Sequence, residues 1–195
     1  RRVVTIGLAA LLAGIVSLVL ALEVGAGPEI VTVPLLLAGL GVGALASQLG
    51  AVTVSAVPDE QSGEVGGLQN TSTNLGASLG TALAGSVLIA TLTTSVIAGI
   101  QSNPAVPPQV ASAANVQLAP GVPFISDADL DRALLEAGVP ATTADAVVEV
   151  NANARIEALR VSLAVLAVLA TIAIFMTRLL PTTPAGRRDH DLATD

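Results

Sequence analysis

The side chains whose types and spacing come nearest to a chemical grouping fall in one stretch, Pro58 to Asn74. Asp59, Glu60 and Glu64 are carboxylates close together, the raw material of general acid–base work. They alternate with Ser62, Gly63, Gly66 and Gly67, and that company makes a solvated turn rather than a walled cleft. The amides Gln69, Asn70 and Asn74 follow, with Gln48 on the preceding segment. An amide donates and accepts, so these side chains either line a cavity that handles polar groups or tie one helix to the next. Cysteine is absent and the one histidine is His190, so thiol, disulfide, His-ligated metal and triad chemistry all lack their parts. No phosphate-cradling glycine loop, nucleophile elbow or metal-spaced cluster occurs either. The expectation is a protein that is not an enzyme and uses no cofactor or metal.

Composition decides what kind of element carries these residues. At 52% hydrophobic and a mean hydropathy of +0.78, the 195 residues are too apolar for an ordinary soluble domain. Ala, Leu, Val and Ile supply the apolar content; there are two Phe and no Trp or Tyr, so the usual aromatic belt at a membrane interface is missing. All eight basic residues are arginines, and the net charge of -7 argues against a nucleic-acid partner, which needs a basic face.

Val3 to Leu22 is an uncharged run long enough to cross a hydrocarbon core of ~30 Å. A secretory leader would share the two leading arginines and apolar centre, but the length of the run favours a span. Arg1-Arg2-Val3 opens without an initiator Met, so we expect the chain to begin partway through a longer protein. Glu23 to Glu29 is a turn, and Ile30 to Val57 is a second uncharged run with Pro34 near its first turn, where a missing N–H is cheap. Pro58 to Gly67 reads as a short connection, and Leu68 to Ile100 as a third span with a polar start. Asn103 to Pro123, rich in Pro, Ala, Ser and Gln, reads as irregular. Ser126 to Asp129 forms a capping pattern before a short amphipathic helix that stops at Gly138. A further helix begins near Thr142, with no breaker before Leu180, and its part from Ala158 to Leu180 is the fourth span. The acidic residues of the loop (Asp127 to Glu157) read as a solvated face.

The fold class expected is all-α: a polytopic membrane helix bundle with four transmembrane helices and a partly helical extracytoplasmic loop between the third and fourth. Its parts are a transmembrane hairpin (1–57), a cytoplasmic turn (58–67), a glycine-patterned span (68–100), the loop (101–157), the last span (158–180) and a disordered cytoplasmic tail (181–195). Arg1, Arg2, Arg178, Arg187 and Arg188 gather at the ends, which places both termini in the cytoplasm of a multi-pass cell-membrane protein. Ser72, Gly76, Gly80 and Ala84 recur at four-residue spacing in the third span, as Gly39, Gly43 and Ser47 do in the second. In a soluble helix each glycine costs about 1 kcal/mol relative to alanine. In a bilayer the same spacing lets backbones approach closely, so both stripes are expected to be packing faces. No ionisable residue lies between Ile30 and Val57, Val65 and Ile100, or Val161 and Thr177, so any proton-coupling side chain lies outside this chain.

Three consecutive stretches carry a resemblance: Pro58-Asp59-Glu60-Gln61-Ser62-Gly63-Glu64, then Gly67-Leu68-Gln69-Asn70-Thr71, then Asn74 to Ala82 (NLGASLGTA). Together they resemble the major facilitator superfamily, and within it the fourteen-span drug/proton antiporter branch of the EmrB/QacA type. In that branch the pattern lies between the twelfth and thirteenth spans, and a sizeable extracytoplasmic loop often separates the last two. The likeness covers essentially the whole chain, as the last four spans. Many relatives carry a basic residue where this chain has Thr73, so an inner-gate salt bridge from that position is not implied here. The resemblance implies a C-terminal fragment of a proton-coupled multidrug efflux transporter, working by alternating access about a midplane site. It also implies a small lipophilic or amphipathic substrate and protons, with the lipid bilayer and the remaining spans of the transporter as partners. Gly39, Gly43, Ser72, Gly76, Gly80 and Ala84 would then pack and gate. Pro58, Ser62, Gly63 and Gly67 would form the inner turn, and Gln48, Gln69, Asn70 and Asn74 would line the cavity. The alternative is a small four-span structural or accessory membrane protein, acting through helix association and its acidic loop.

Overall fold

An apolar segment crossing lipid has to satisfy every backbone N–H and C=O internally, so long runs of Ala, Leu and Val without interior breakers become helices. The computed structural model of the chain describes residues 2–54, 61–118 and 121–179. Arg1, Pro58, Arg187, Arg188 and the expected tail lie outside the described residues. Among the described residues six α-helices appear in order: α1 (Arg2–Ala21), α2 (Thr32–Val54), α3 (Ser62–Ser102), α4 (Pro108–Gln117), α5 (Asp127–Glu136) and α6 (Ala141–Met176). Single 3-10 turns precede α2 at Pro28–Val31 and follow α6 at Thr177–Leu179. No strand occurs among the described residues. Four of the helices, α1, α2, α3 and α6, are long and apolar enough to cross a membrane.

Two boundaries differ from the sequence reading. Gly63 and Gly67, expected in the connecting turn, lie inside α3, which begins at Ser62. Glu64 in its first turn offsets the partial positive charge of the helix start. The hydroxyls that follow fold back onto their own helix: Thr71 donates to the Gly67 carbonyl at 3.0 Å, Thr73 to Gln69 at 2.9 Å and Ser78 to Asn74 at 2.9 Å. In the stretch read as irregular, α4 forms at Pro108–Gln117. Proline at the start of a helix removes an N–H that has no partner there and presets φ, so here it starts a helix rather than ending one.

The chain divides into two compact units. Of the described residues, the first takes in those up to Ala21, from Pro28 to Ala82 and from Val165 onward; the second takes in Leu22–Gly27 and Leu83–Ala164.

In the first unit α1 and α2 meet backbone to backbone. A Cβ on Gly14 would stand 2.5 Å from the Ala38 nitrogen and 2.7 Å from the Pro34 carbonyl oxygen. One on Gly41 would stand 2.5 Å from the Leu11 nitrogen and 2.6 Å from the Gly7 carbonyl oxygen. Real Cβ atoms do not come that close, so only glycine fits at these two points without moving a helix. Thr5 and Thr177 share a hydroxyl–hydroxyl hydrogen bond of 3.3 Å. Thr177 is buried and also donates to the Ile174 carbonyl at 2.7 Å.

The second unit has its own apolar core. Leu92, Val96 and Ile100, one turn apart on α3, are buried with Ala146, Ala154 and Ala158 of α6. Val106 and Val122 from the intervening segment complete it. Large side chains on one helix against alanines on the other fill space without forcing the axes apart. Further along the same contact, the Ser162 hydroxyl donates to the Ala84 carbonyl at 2.9 Å.

Candidate functional site

Within the second unit, the loop-side parts of α3 and α6 leave a cavity of about 720 Å³. Glu149, Asn153 and Glu157 fall one turn apart on α6, so they present one polar stripe to it, and Arg160 continues the stripe. Glu23, from the turn after α1, adds a third carboxylate, while Ser95 and Ser102 of α3 contribute hydroxyls. Apolar wall comes from Val24, Pro104, Val150 and Ile156. Arg160 is committed: its guanidinium donates a short hydrogen bond to the Leu22 carbonyl, just past the end of α1. A cation at the last carbonyls of a helix satisfies acceptors that have no intrahelical partner. The cavity lining therefore combines three carboxylates and one guanidinium already in use with an apolar surface. That arrangement suits a molecule with a positive or hydrogen-bond-donating end and an apolar body. Among the described residues, no three acidic or histidine groups are placed to hold a metal ion.

The residues singled out from the sequence lie elsewhere. Gln48 stands half-buried on α2; on α3 Gln69 is half-buried, and Asn70 and Asn74 are exposed. None of these four lines the loop-side cavity. Gly39, Gly43, Gly76 and Gly80 have nothing within 4 Å of the place a Cβ would occupy, and the Ser72 side chain is exposed. Ala84 does meet another helix, through its carbonyl and Ser162. Gly63 and Gly67 are helical, with nothing within 4 Å of the place a Cβ would occupy; for Ser62 the structure describes only its place at the start of α3.

The glycines that do bring helices together are Gly7, Gly14 and Gly41, which the four-residue pattern passes over. The signal was present at seven-residue spacing: Gly7 and Gly14 on α1, Pro34 and Gly41 on α2, with Ala38 between the last two. A seven-residue repeat keeps one seam facing a partner along a gently supercoiled pair. Gly99 is a fourth point of close approach, its Cβ position lying 2.5 Å from Cγ1 of Val150. Compared with protein-family models, with curated proteins and with solved structures, the chain matches none of them.

Proposed function

We propose that this chain forms the last four spans of a proton-coupled multidrug efflux transporter that works by alternating access. The observation that carries the reading is an incomplete bundle. Gly39 and Gly43 on α2, and Gly76 and Gly80 on α3, form small-residue faces with nothing against them among the described residues. Such faces are useful in lipid only where another helix lies on them. The further spans of a transporter would supply those helices, and the stretch from Pro58 to Ala82 resembles the corresponding part of the fourteen-span drug/proton antiporters. On this reading the protein is a multi-pass cell-membrane protein with cytoplasmic ends, it is not an enzyme, and its substrates are small lipophilic or amphipathic molecules exchanged for protons. The coupling acid belongs to the spans outside this chain.

The test is drug efflux from cells carrying the intact gene. Gly76→Leu and Gly80→Leu are expected to abolish efflux at unchanged protein level, and Gln48→Ala to weaken it only mildly. Normal efflux in both glycine variants removes the packing argument.

A second reading has support of its own. The same open stripes serve association with a different membrane protein equally well, and Asp129, Glu136 and Asp145 are exposed on the folded loop segment for a partner to meet. A four-span accessory protein of this kind co-purifies with a partner and leaves drug susceptibility unchanged when its gene is removed.

A further inference from the structure

The segment between α3 and α6 is tied down at its start and again around its middle, and its fastenings converge on the same two helices. Val106 and Val122 are buried among Leu92, Val96, Ile100 and Ala154. The Val122 N–H donates to the Thr93 hydroxyl of α3 at 3.1 Å, and the buried Thr143 hydroxyl of α6 donates to the Ala105 carbonyl at 3.4 Å. At the start of α5, one oxygen of Asp127 accepts two hydrogen bonds from α6: Nδ2 of Asn151 at 3.0 Å and Nη1 of Arg155 at 2.9 Å. Asn151 is only 3% exposed, so the carboxylate satisfies an amide group that has no water to turn to. The Arg155 guanidinium also lies 5.3 Å from the centre of the Phe124 ring. On the same two helices, Gly99 of α3 and Val150 of α6 are close enough to touch.

From this convergence we infer that residues 103–118 and 121–140 form a strap, and that Asp127, clasped on Asn151 and Arg155, locks the loop-side parts of α3 and α6 into one rigid body. Charge-assisted bonds to a shared carboxylate are stronger than neutral ones and fix direction as well as distance. The two helices cannot part on that side while the clasp is closed, whatever the rest of the protein does. The strap is thus a conformational element, whether or not the protein transports anything.

Hydrogen exchange of backbone amides in the lipid-reconstituted protein tests it, because exchange reports local opening segment by segment. Asp127→Ala is expected to speed exchange at least tenfold in residues 121–136, and also at the loop-side ends of α3 and α6. A disulfide then separates the lock from the strap. A Cβ on Gly99 lies 3.5 Å from that of Val150, within the roughly 3.5–4.5 Å a disulfide needs, and the chain has no other cysteine. Adding Gly99→Cys/Val150→Cys to Asp127→Ala should restore slow exchange to the two helix ends while residues 121–136 stay fast. The charge-swapped pair Asp127→Arg/Arg155→Asp should recover part of the protection in both places. Unchanged exchange in Asp127→Ala overturns the clasp. Fast exchange confined to residues 121–136, with both helix ends still protected before any disulfide is added, overturns the lock. Should Asp127→Ala lose its helical circular dichroism, the charge-swapped pair decides alone: protection regained supports the clasp, and none regained overturns it.

Discussion

Glycines two residues apart in the same helix, and so on opposite faces of it, have opposite duties. Gly41 leaves no room for a side chain, because a Cβ there would stand 2.5 Å from the Leu11 nitrogen. Gly39 and Gly43 on the same helix look into open space. For the chain in detergent, Gly41→Ala should lower stability by about 1–3 kcal/mol, the usual cost of forcing extra volume into a tight contact. Gly39→Ala should be neutral, or stabilising by up to about 1 kcal/mol through helix propensity alone. Loss of helicity on titration with a denaturing detergent distinguishes them, and equal effects would mean the helix crossing is not where we place it. Four-residue spacing identifies residues that share a face of α2, which is why Gly39 and Gly43 stood out. It says nothing of which face meets α1. That depends on side-chain fit between two helices and is invisible in the periodicity of one.

The helices themselves were more legible than their contacts. Four apolar runs correspond to four helices long and apolar enough to cross a membrane, since a single segment in lipid pairs its own backbone polar groups by forming a helix. Local composition misled in two places. Gly63, Gly66 and Gly67 suggested a turn, although the ladder of α3 already runs through them; Pro107 and Pro108 suggested a break, although Pro108 opens α4. The signals around α5 were local and could be read directly: Ser126 caps it, accepting from the Asp129 N–H at 3.1 Å, and Gly138 beyond its end takes φ +76°. Ser126→Ala should therefore destabilise α5 by about 0.5–2 kcal/mol. Faster amide exchange confined to the first turn of α5 is the expected signature, and protection unchanged at Asp127 to Asp129 would contradict it. The clasp at Asp127 was beyond such reading, because Asn151 and Arg155 lie more than twenty residues away and only folding brings them to the same oxygen.

Taken as one molecule, the described chain shows far more apolar surface than a water-soluble protein keeps. Leu20, Leu36, Leu40, Leu79, Phe175 and Leu179 are all more than half exposed. Lipid is the medium in which that surface is not a liability. The protein should accordingly stay with membranes through alkaline carbonate washing and come into solution only with detergent; recovery as a monomer in plain buffer would contradict the four-span reading. The seam between α1 and α2 has a bearing on how the protein is made. The close contacts at its glycines all join residues between Gly7 and Leu45. Contacts of such short sequence separation form fast and carry little loop-closure cost. This first hairpin can be complete while the ribosome is still synthesising α3, and it can leave the translocon as a finished pair. A bulky residue at Gly14 or Gly41 would thus do its damage during biogenesis, before there is a mature protein whose activity could be measured.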